Sequence, residues 1–186
     1  MTRKFKAIEI TKTNLVEAYW GIYRKDPQNR ISVREVVERA GYNRSTFYEY
    51  FNGIEDVLPS IEEQLTARIA ATLSEGLASD ASETSVAAEM AEIYDGESDY
   101  LSLLLGPSGD PAFAEMLKTA IRPLLFKSFL LDENDPVDIY TFEFAFGAIT
   151  GVMTTWFARG KDLEAKAFVA LIQDMLMHGV AKRIIG

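Results

Sequence analysis

Residues 31–51 read ISVREVVERAGYNRSTFYEYF, and the reading of this stretch decides the fold. Ser32 followed by Glu35 is a capping box, in which the hydroxyl accepts from a free backbone N–H and the carboxylate reaches back to the N–H of Ser32. Val33, Val36, Val37 and Ala40 then make one face of a short helix. Three Val residues are weak helix formers, so packing must hold this helix. Gly41 follows where a left-handed residue stops a helix. Asn43 can cap a second helix, whose first turn is Arg44, Ser45 and Thr46. Phe47 and Phe51 face inward at helical spacing; Tyr50 either faces inward or points outward with Tyr48. Asn52-Gly53 marks the next turn. Two short helices across a glycine turn, the second opening on short polar and basic side chains, have the layout of a helix-turn-helix.

Major-groove reading needs a helix end that projects such side chains toward base edges. Tyr42, Arg44, Ser45 and Thr46 are placed for that, and Asn43, which caps the helix, belongs to the same DNA-binding set. Arg pairs with guanine through two hydrogen bonds, and such a contact contributes about 1–3 kcal/mol of discrimination. Ser32, Arg34, Tyr48 and Tyr50 can hydrogen-bond phosphates and so set register. Plain aromatic packing accounts for Phe47 and Phe51.

Upstream, Leu15, Ala18, Tyr19, Ile22 and Tyr23 keep the spacing of an amphipathic helix over about 11–23. Arg3, Lys4 and Lys6 either extend this helix or form a basic arm. Asp26-Pro27 breaks the chain before the quoted stretch. Charge separates along the sequence. Residues 1–52 hold 10 Lys+Arg against 6 Asp+Glu, a net of +4, within a chain of net −9. Residues 53–186 hold 9 against 22, a net of −13. A basic end on an acidic chain points to a polyanion partner there.

Downstream, Ile54, Val57, Leu58, Ile61, Leu65, Ile69 and Leu73 predict a long helix to about Leu77, with Pro59 near its start. A polar break over 78–85 precedes helices near 85–94 and 97–105. Gly106 to Pro111 is the strongest loop signal. Asp110-Pro111 and Asp135-Pro136 each place a cap and a first-turn proline at a helix start, predicting helices over 111–131, with a kink at Pro123, and 136–159. A last helix is expected over 162–183. The fold class expected is all-α: a three-helix helix-turn-helix unit, residues 1–53, joined by a long helix to a C-terminal ligand-binding and dimerising bundle, residues 54–186.

Composition narrows the function. The 186 residues contain no Cys and one His, His178, so Ser-His-Asp, Cys-His and zinc sites lack their usual parts. Gly106-Pro107-Ser108-Gly109 has no preceding strand and no following Lys, so it is not a phosphate loop. No enzyme activity, metal or cofactor is expected. The lack of Cys fits a reducing cytoplasm. No apolar run follows MTRKFK, and no stretch reaches the roughly 18 apolar residues of a membrane helix.

Tyr94, Tyr100, Leu104, Phe113, Met116, Leu117, Phe126, Met153 and Trp156 supply large side chains that either fill a core or wall a small-molecule pocket. An acidic lining, suited to a cationic or neutral ligand, fits the charge of this region. The helix over 136–159 is apolar on nearly every side and must be covered from more than one direction. Gly147 and Gly151 leave a flat strip on it. A subunit interface is expected there, formed by Phe146, Gly147 and Gly151 with Phe168, Ile172 and Met175 of the last helix.

The run ISVREVVERAGYNRSTFYEYFNGIEDVL, residues 31–58, resembles the TetR family of bacterial transcriptional regulators. The resemblance rests on Ser32, on Ala40-Gly41 and on Phe47-Tyr48-Glu49-Tyr50-Phe51. Ile54 stands where the family usually has a phosphate-touching Lys. The stretch LLLGPSGDPAFAEML, residues 103–117, looks like a C-terminal variant found in some members, including regulators of dihydroxyacetone kinase. The resemblance implies a homodimer on a double-stranded DNA operator, most often a repressor released by a small-molecule inducer of unknown identity. The other reading of the same residues is a helical protein that keeps this fold but acts through a protein partner.

Overall fold

A computed structural model describes residues 2–78, 83–107 and 109–180, with side chains from residue 9 to 78, 88 to 107 and 109 to 180. The described residues form nine α-helices and one 3-10 turn, with no strand. Two compact units divide the chain, Met1–Gln64 and Leu65–Gly186.

The first unit begins with α1, Thr2–Tyr23. The segment holding Arg3, Lys4 and Lys6 extends this helix, and those three side chains lie outside the described residues. Leu15, Ala18, Tyr19 and Trp20 of α1 are buried. They meet α2, Val33–Ala40, which packs against both α1 and α3, Arg44–Tyr48. Val36 and Val37 are the buried face of α2, so tertiary packing supplies what their low helix propensity withholds. Phe47 is fully buried and stacks obliquely on Phe51, ring centroids 5.3 Å apart. Lys12 lies over the Phe51 ring at 5.6 Å. A 3-10 turn, Ile54–Asp56, leads into α4, Val57–Ala78. Pro59 sits in the first turn of α4, where its missing N–H costs no intrahelical bond. The division between the units falls inside α4, beyond the Asn52-Gly53 turn.

The second unit adds α5, Glu83–Gly96, α6, Ser98–Leu104, α7, Pro111–Ser128, α8, Pro136–Ala158, and α9, Ala165–His178. Helix α5 packs on α6 and α9, while α8 packs on α6 and α7. Both Asp-Pro starts form as expected. Asp110 accepts from the N–H of Ala112 and Asp135 from that of Val137, each at 2.8 Å. Helix α7 continues through Pro123. In the loop before α7 a Cβ on Gly109 would strike the backbone carbonyl of Leu104, so glycine there is a steric requirement. The Thr154 hydroxyl donates to the Leu105 carbonyl at 2.6 Å and anchors α8 to the end of α6. Trp156 stacks on Phe168 at 4.2 Å and donates through Nε1 to the Leu163 carbonyl. The last helix, expected over 162–183, runs from Ala165 to His178 and stops at Gly179, which takes φ 76°. No helix among the described residues is long and apolar enough to cross a membrane.

Candidate functional site

Local hydrogen bonds build the helix-turn-helix. The Glu35 N–H donates to the Ser32 hydroxyl at 3.3 Å, and the Ser32 N–H and hydroxyl donate to the Glu35 carboxylate at 2.9 and 2.7 Å. The hydroxyl donor first, and then the backbone one, holds the Glu35 carboxyl below its ordinary pKa. Gly41 takes φ 75°, a left-handed turn with open space around it. Asn43 then caps α3. Its side-chain oxygen accepts from the Thr46 N–H at 2.9 Å, the Ser45 hydroxyl at 2.6 Å and the Thr46 hydroxyl at 3.1 Å.

These bonds sort the expected DNA-contacting residues. Ser32, Arg34, Asn43, Arg44, Ser45 and Tyr48 are exposed, whereas Tyr42, Thr46 and Tyr50 are half-buried. Arg34 is held by Glu38 one turn on, Nε to Oε1 2.6 Å. Arg44 forms no ion pair with any described residue, so its guanidinium projects from the first turn of α3 with every donor available. Ser45 and Thr46 spend their protons on Asn43 and keep lone pairs to offer. Tyr48 is 57% exposed and meets Phe47 edge-on at 5.6 Å. Tyr42 accepts at its hydroxyl from the Asn14 side-chain amide at 3.0 Å. Asn14 was no part of the sequence expectation; its spacing from Tyr42 carries no local signal. Ile54 is half-buried.

The second unit holds an open-sided cavity of about 520 Å³, with Phe129, Leu176 and Met177 exposed along it. Its wall takes residues from all six helices of the unit, mostly aliphatic ones such as Ile69, Leu73, Met90, Leu125 and Ile149. Of the residues read as a pocket, Tyr94, Leu117 and Met153 line it. Leu104, Phe113, Phe126 and Trp156 are instead buried core, and Tyr100 and Met116 are half-buried away from the lining. The acidic lining expected from bulk charge is not found among the described residues, none of whose charged side chains borders the cavity. The carboxylates of Glu75, Glu89, Glu92 and Glu97 gather instead around a separate cleft of about 380 Å³, where Arg68 pairs with Glu97. Tyr94 keeps some surface open to the large cavity, yet protein atoms crowd its phenol, and that desolvation pushes its pKa up to about 12.

The residues read as an interface also divide. Gly147 and Gly151 are exposed, and a Cβ on either would meet nothing within 4 Å. Phe168 and Ile172 are buried within their own unit, Phe146 and Ile172 line the cavity, and Met175 is half-buried. Beside the glycines on α8, Val137, Tyr140 and Phe144 are 68, 73 and 73% exposed. Positions 137, 140, 144, 147 and 151 follow helical spacing and form one outward stripe. The same periodicity in the sequence carried this signal, which was masked because α8 is apolar on its other faces too.

Two family models match. One, described as bacterial regulatory proteins of the tetR family, covers residues 27–61; the other, described as a transcriptional regulator C-terminal region, covers residues 84–178. No curated protein matches the chain. Solved structures similar to it include a TetR transcriptional regulator from Streptococcus agalactiae 2603V, with 17% identity over 93% of this chain and 97% of that one and a TM-score of 0.68. The transcriptional regulator FadR from Bacillus subtilis in complex with stearoyl-CoA is 17% identical, covering 90% of this chain and 98% of its own, with a TM-score of 0.66. The dihydroxyacetone kinase operon activator DhaS is 18% identical over 93% and 97%, with a TM-score of 0.62. At such identities the likeness establishes the fold.

Proposed function

The chain belongs to the TetR family of bacterial transcriptional regulators, and from that membership we propose a homodimeric repressor that binds a specific operator and is released by a small molecule. The observation that carries the DNA reading is the outward face of α3, where an unpaired Arg44 stands beside Ser45 and Tyr48 on a helix capped by Asn43. Arg44 reads a guanine, with Ser45 and Thr46 accepting from neighbouring bases. Tyr48, Tyr50, Ser32 and Arg34 hold the phosphates on either side.

Two copies joined along the 137–151 stripe of α8 present two α3 helices to successive major grooves, which recur every 34–36 Å or so. The Bacillus subtilis relative solved with stearoyl-CoA supports a small-molecule effector, and the 520 Å³ cavity supplies a place for one. Release follows by population shift: the ligand must prefer the conformer whose reading helices are wrongly spaced. Helix α4 begins in the first unit and carries Ile69 and Leu73 on the cavity wall, so it connects ligand to reading helix along one backbone.

The test is a fluorescence-anisotropy titration of the full chain on duplexes from the DNA flanking its own gene, against random duplexes, at several salt concentrations. Preference for a flanking duplex that persists as salt rises supports the reading. Equal affinity for flanking and random DNA at every salt concentration ends it.

A further inference from the structure

The cavity wall states what it rejects. Among the described residues no Lys, Arg, Asp or Glu borders it. A carboxylate or phosphate seated in its interior would lose water without gaining a counter-charge, an unfavourable exchange. The wall offers polar side chains at three places, Tyr94, Thr150 and Gln173. Thr150 already donates its proton to the carbonyls of Phe146 and Gly147, at 2.9 and 3.2 Å, so it has only lone pairs left. Tyr94 and Gln173 have no hydrogen-bond partner among the described residues. They stand on α5 and α9, which pack against each other.

A half-buried phenol and a half-buried amide on an apolar wall leave polar groups for an occupant of the cavity to satisfy. The crowding that raises the Tyr94 pKa also keeps it a neutral donor across the physiological range. The volume lies within the range of small-molecule sites, roughly 300–1,000 Å³. The remaining described wall is apolar, mostly aliphatic, and favours hydrocarbon.

We infer that this cavity takes an uncharged lipophile carrying one hydrogen-bonding oxygen, of the class of a long-chain alcohol, and that Tyr94 and Gln173 recognise that oxygen. This rests on the regulatory reading above only for its consequence at DNA. The hydrocarbon chain supplies affinity and the oxygen supplies orientation. Anionic acyl compounds of the same chain length are disfavoured, because their charge has no partner in the wall.

Isothermal titration of the full chain with decanol, decanoate and decanoyl coenzyme A, matched in chain, tests the inference. Decanol binds at neutral pH, and decanoate at least about tenfold more weakly, since its carboxylate must be stripped of water or protonated. Decanoate gains affinity as pH falls and the neutral acid grows in population. Tyr94→Phe weakens decanol by about two- to tenfold, the worth of one hydrogen bond, and leaves decane unchanged. Gln173→Met gives the same pattern and serves if Tyr94→Phe fails to fold. Decanoate or decanoyl coenzyme A binding as tightly as decanol overturns the inference, as does native-like decanol binding by both variants. The DNA titration separates the two readings. Decanol that binds without loosening the DNA complex leaves the inference standing and removes decanol-type ligands as releasing agents. A chain that binds its operator but not decanol refutes the inference and leaves the regulator intact.

Discussion

The side-chain amide of Asn14 on α1 donates to the Tyr42 hydroxyl at 3.0 Å, and so ties the first helix to the turn that aims α3. Because Tyr42 accepts this bond, its own proton remains free to donate outward. Tyr42→Phe removes both functions and Asn14→Ala removes only the orienting one. Both variants lose affinity for the operator duplex, Asn14→Ala by about fivefold and Tyr42→Phe by about thirtyfold, at roughly 1 kcal/mol per lost bond. Anisotropy titration of both variants checks this. Native affinity in Asn14→Ala would show that the bond does not position the turn.

Asn43 accepts three hydrogen bonds at one oxygen. A helix of five residues has little stability of its own, so its cap matters more than in a long helix. Asn43→Ala is expected to destabilise the chain by about 0.5–2 kcal/mol, while Asn43→Asp, which keeps the acceptor, retains most of that. Urea unfolding measures the difference. Equal losses in the two variants would show that the oxygen is not the stabilising atom.

Arg44 and Arg34 differ in a way that charge alone does not reveal. Arg34 is paired with Glu38, and Arg44 has no ionic partner. Arg44→Ala should cost about 1–3 kcal/mol on the preferred duplex and flatten discrimination at one base pair. Arg34→Ala should weaken preferred and random duplexes alike, and only slightly, because Glu38 already neutralises it. Binding measured on a panel of single-base variants decides between these patterns.

The helix-turn-helix was legible because its signals are local. The capping box at Ser32 and Glu35, the left-handed Gly41 and the Asn43 cap each act within a few residues, and all three form. The cavity was not legible for the opposite reason. Periodicity tells which side chains face inward, and not whether the inward face meets a neighbour or an empty volume. Phe113 and Trp156 meet neighbours and fill core, whereas the equally apolar Leu125 and Ile149 face the cavity. Large aromatics drew the expectation, and aliphatics form most of the wall. Likewise Phe168 was read as a subunit contact, but its stacking on Trp156 buries it within its own unit.

Two tyrosines ionise late. Burial raises the pKa of Tyr94 from 10.0 to about 12; for Tyr19 burial acts first and then the neighbouring Tyr23 and Glu62, with the same result. A raised phenol pKa contributes stability that is fully present below the unfolded value of 10.0 and is lost as pH rises through about 12. Native protein titrated by ultraviolet absorbance should therefore show tyrosinate forming in a main step followed by a late one that coincides with unfolding. Tyr94→Phe should shrink the late step and soften the alkaline fall in stability. A late step of unchanged amplitude would mean that the Tyr94 phenol is not desolvated.

The stripe on α8 gives the most direct test of assembly. Val137, Tyr140 and Phe144 are large, apolar and exposed, and Gly147 and Gly151 continue them as a shallow strip with nothing against it. A monomer gains nothing from that arrangement, because exposed aromatics in a row favour association. A second copy laid along the same stripe would satisfy the two-fold rule that a patch meets itself. Gly151→Trp fills the strip without touching the unit's own core, since a Cβ there meets no atom within 4 Å. The variant should keep the native helical signal by circular dichroism yet elute as a monomer on a sizing column. Its operator affinity should fall steeply, since the two reading helices are no longer held together. Tyr140→Ser and Phe144→Ser should weaken the dimer in the same direction. Native elution of Gly151→Trp with its fold intact would place the dimer surface elsewhere on the unit.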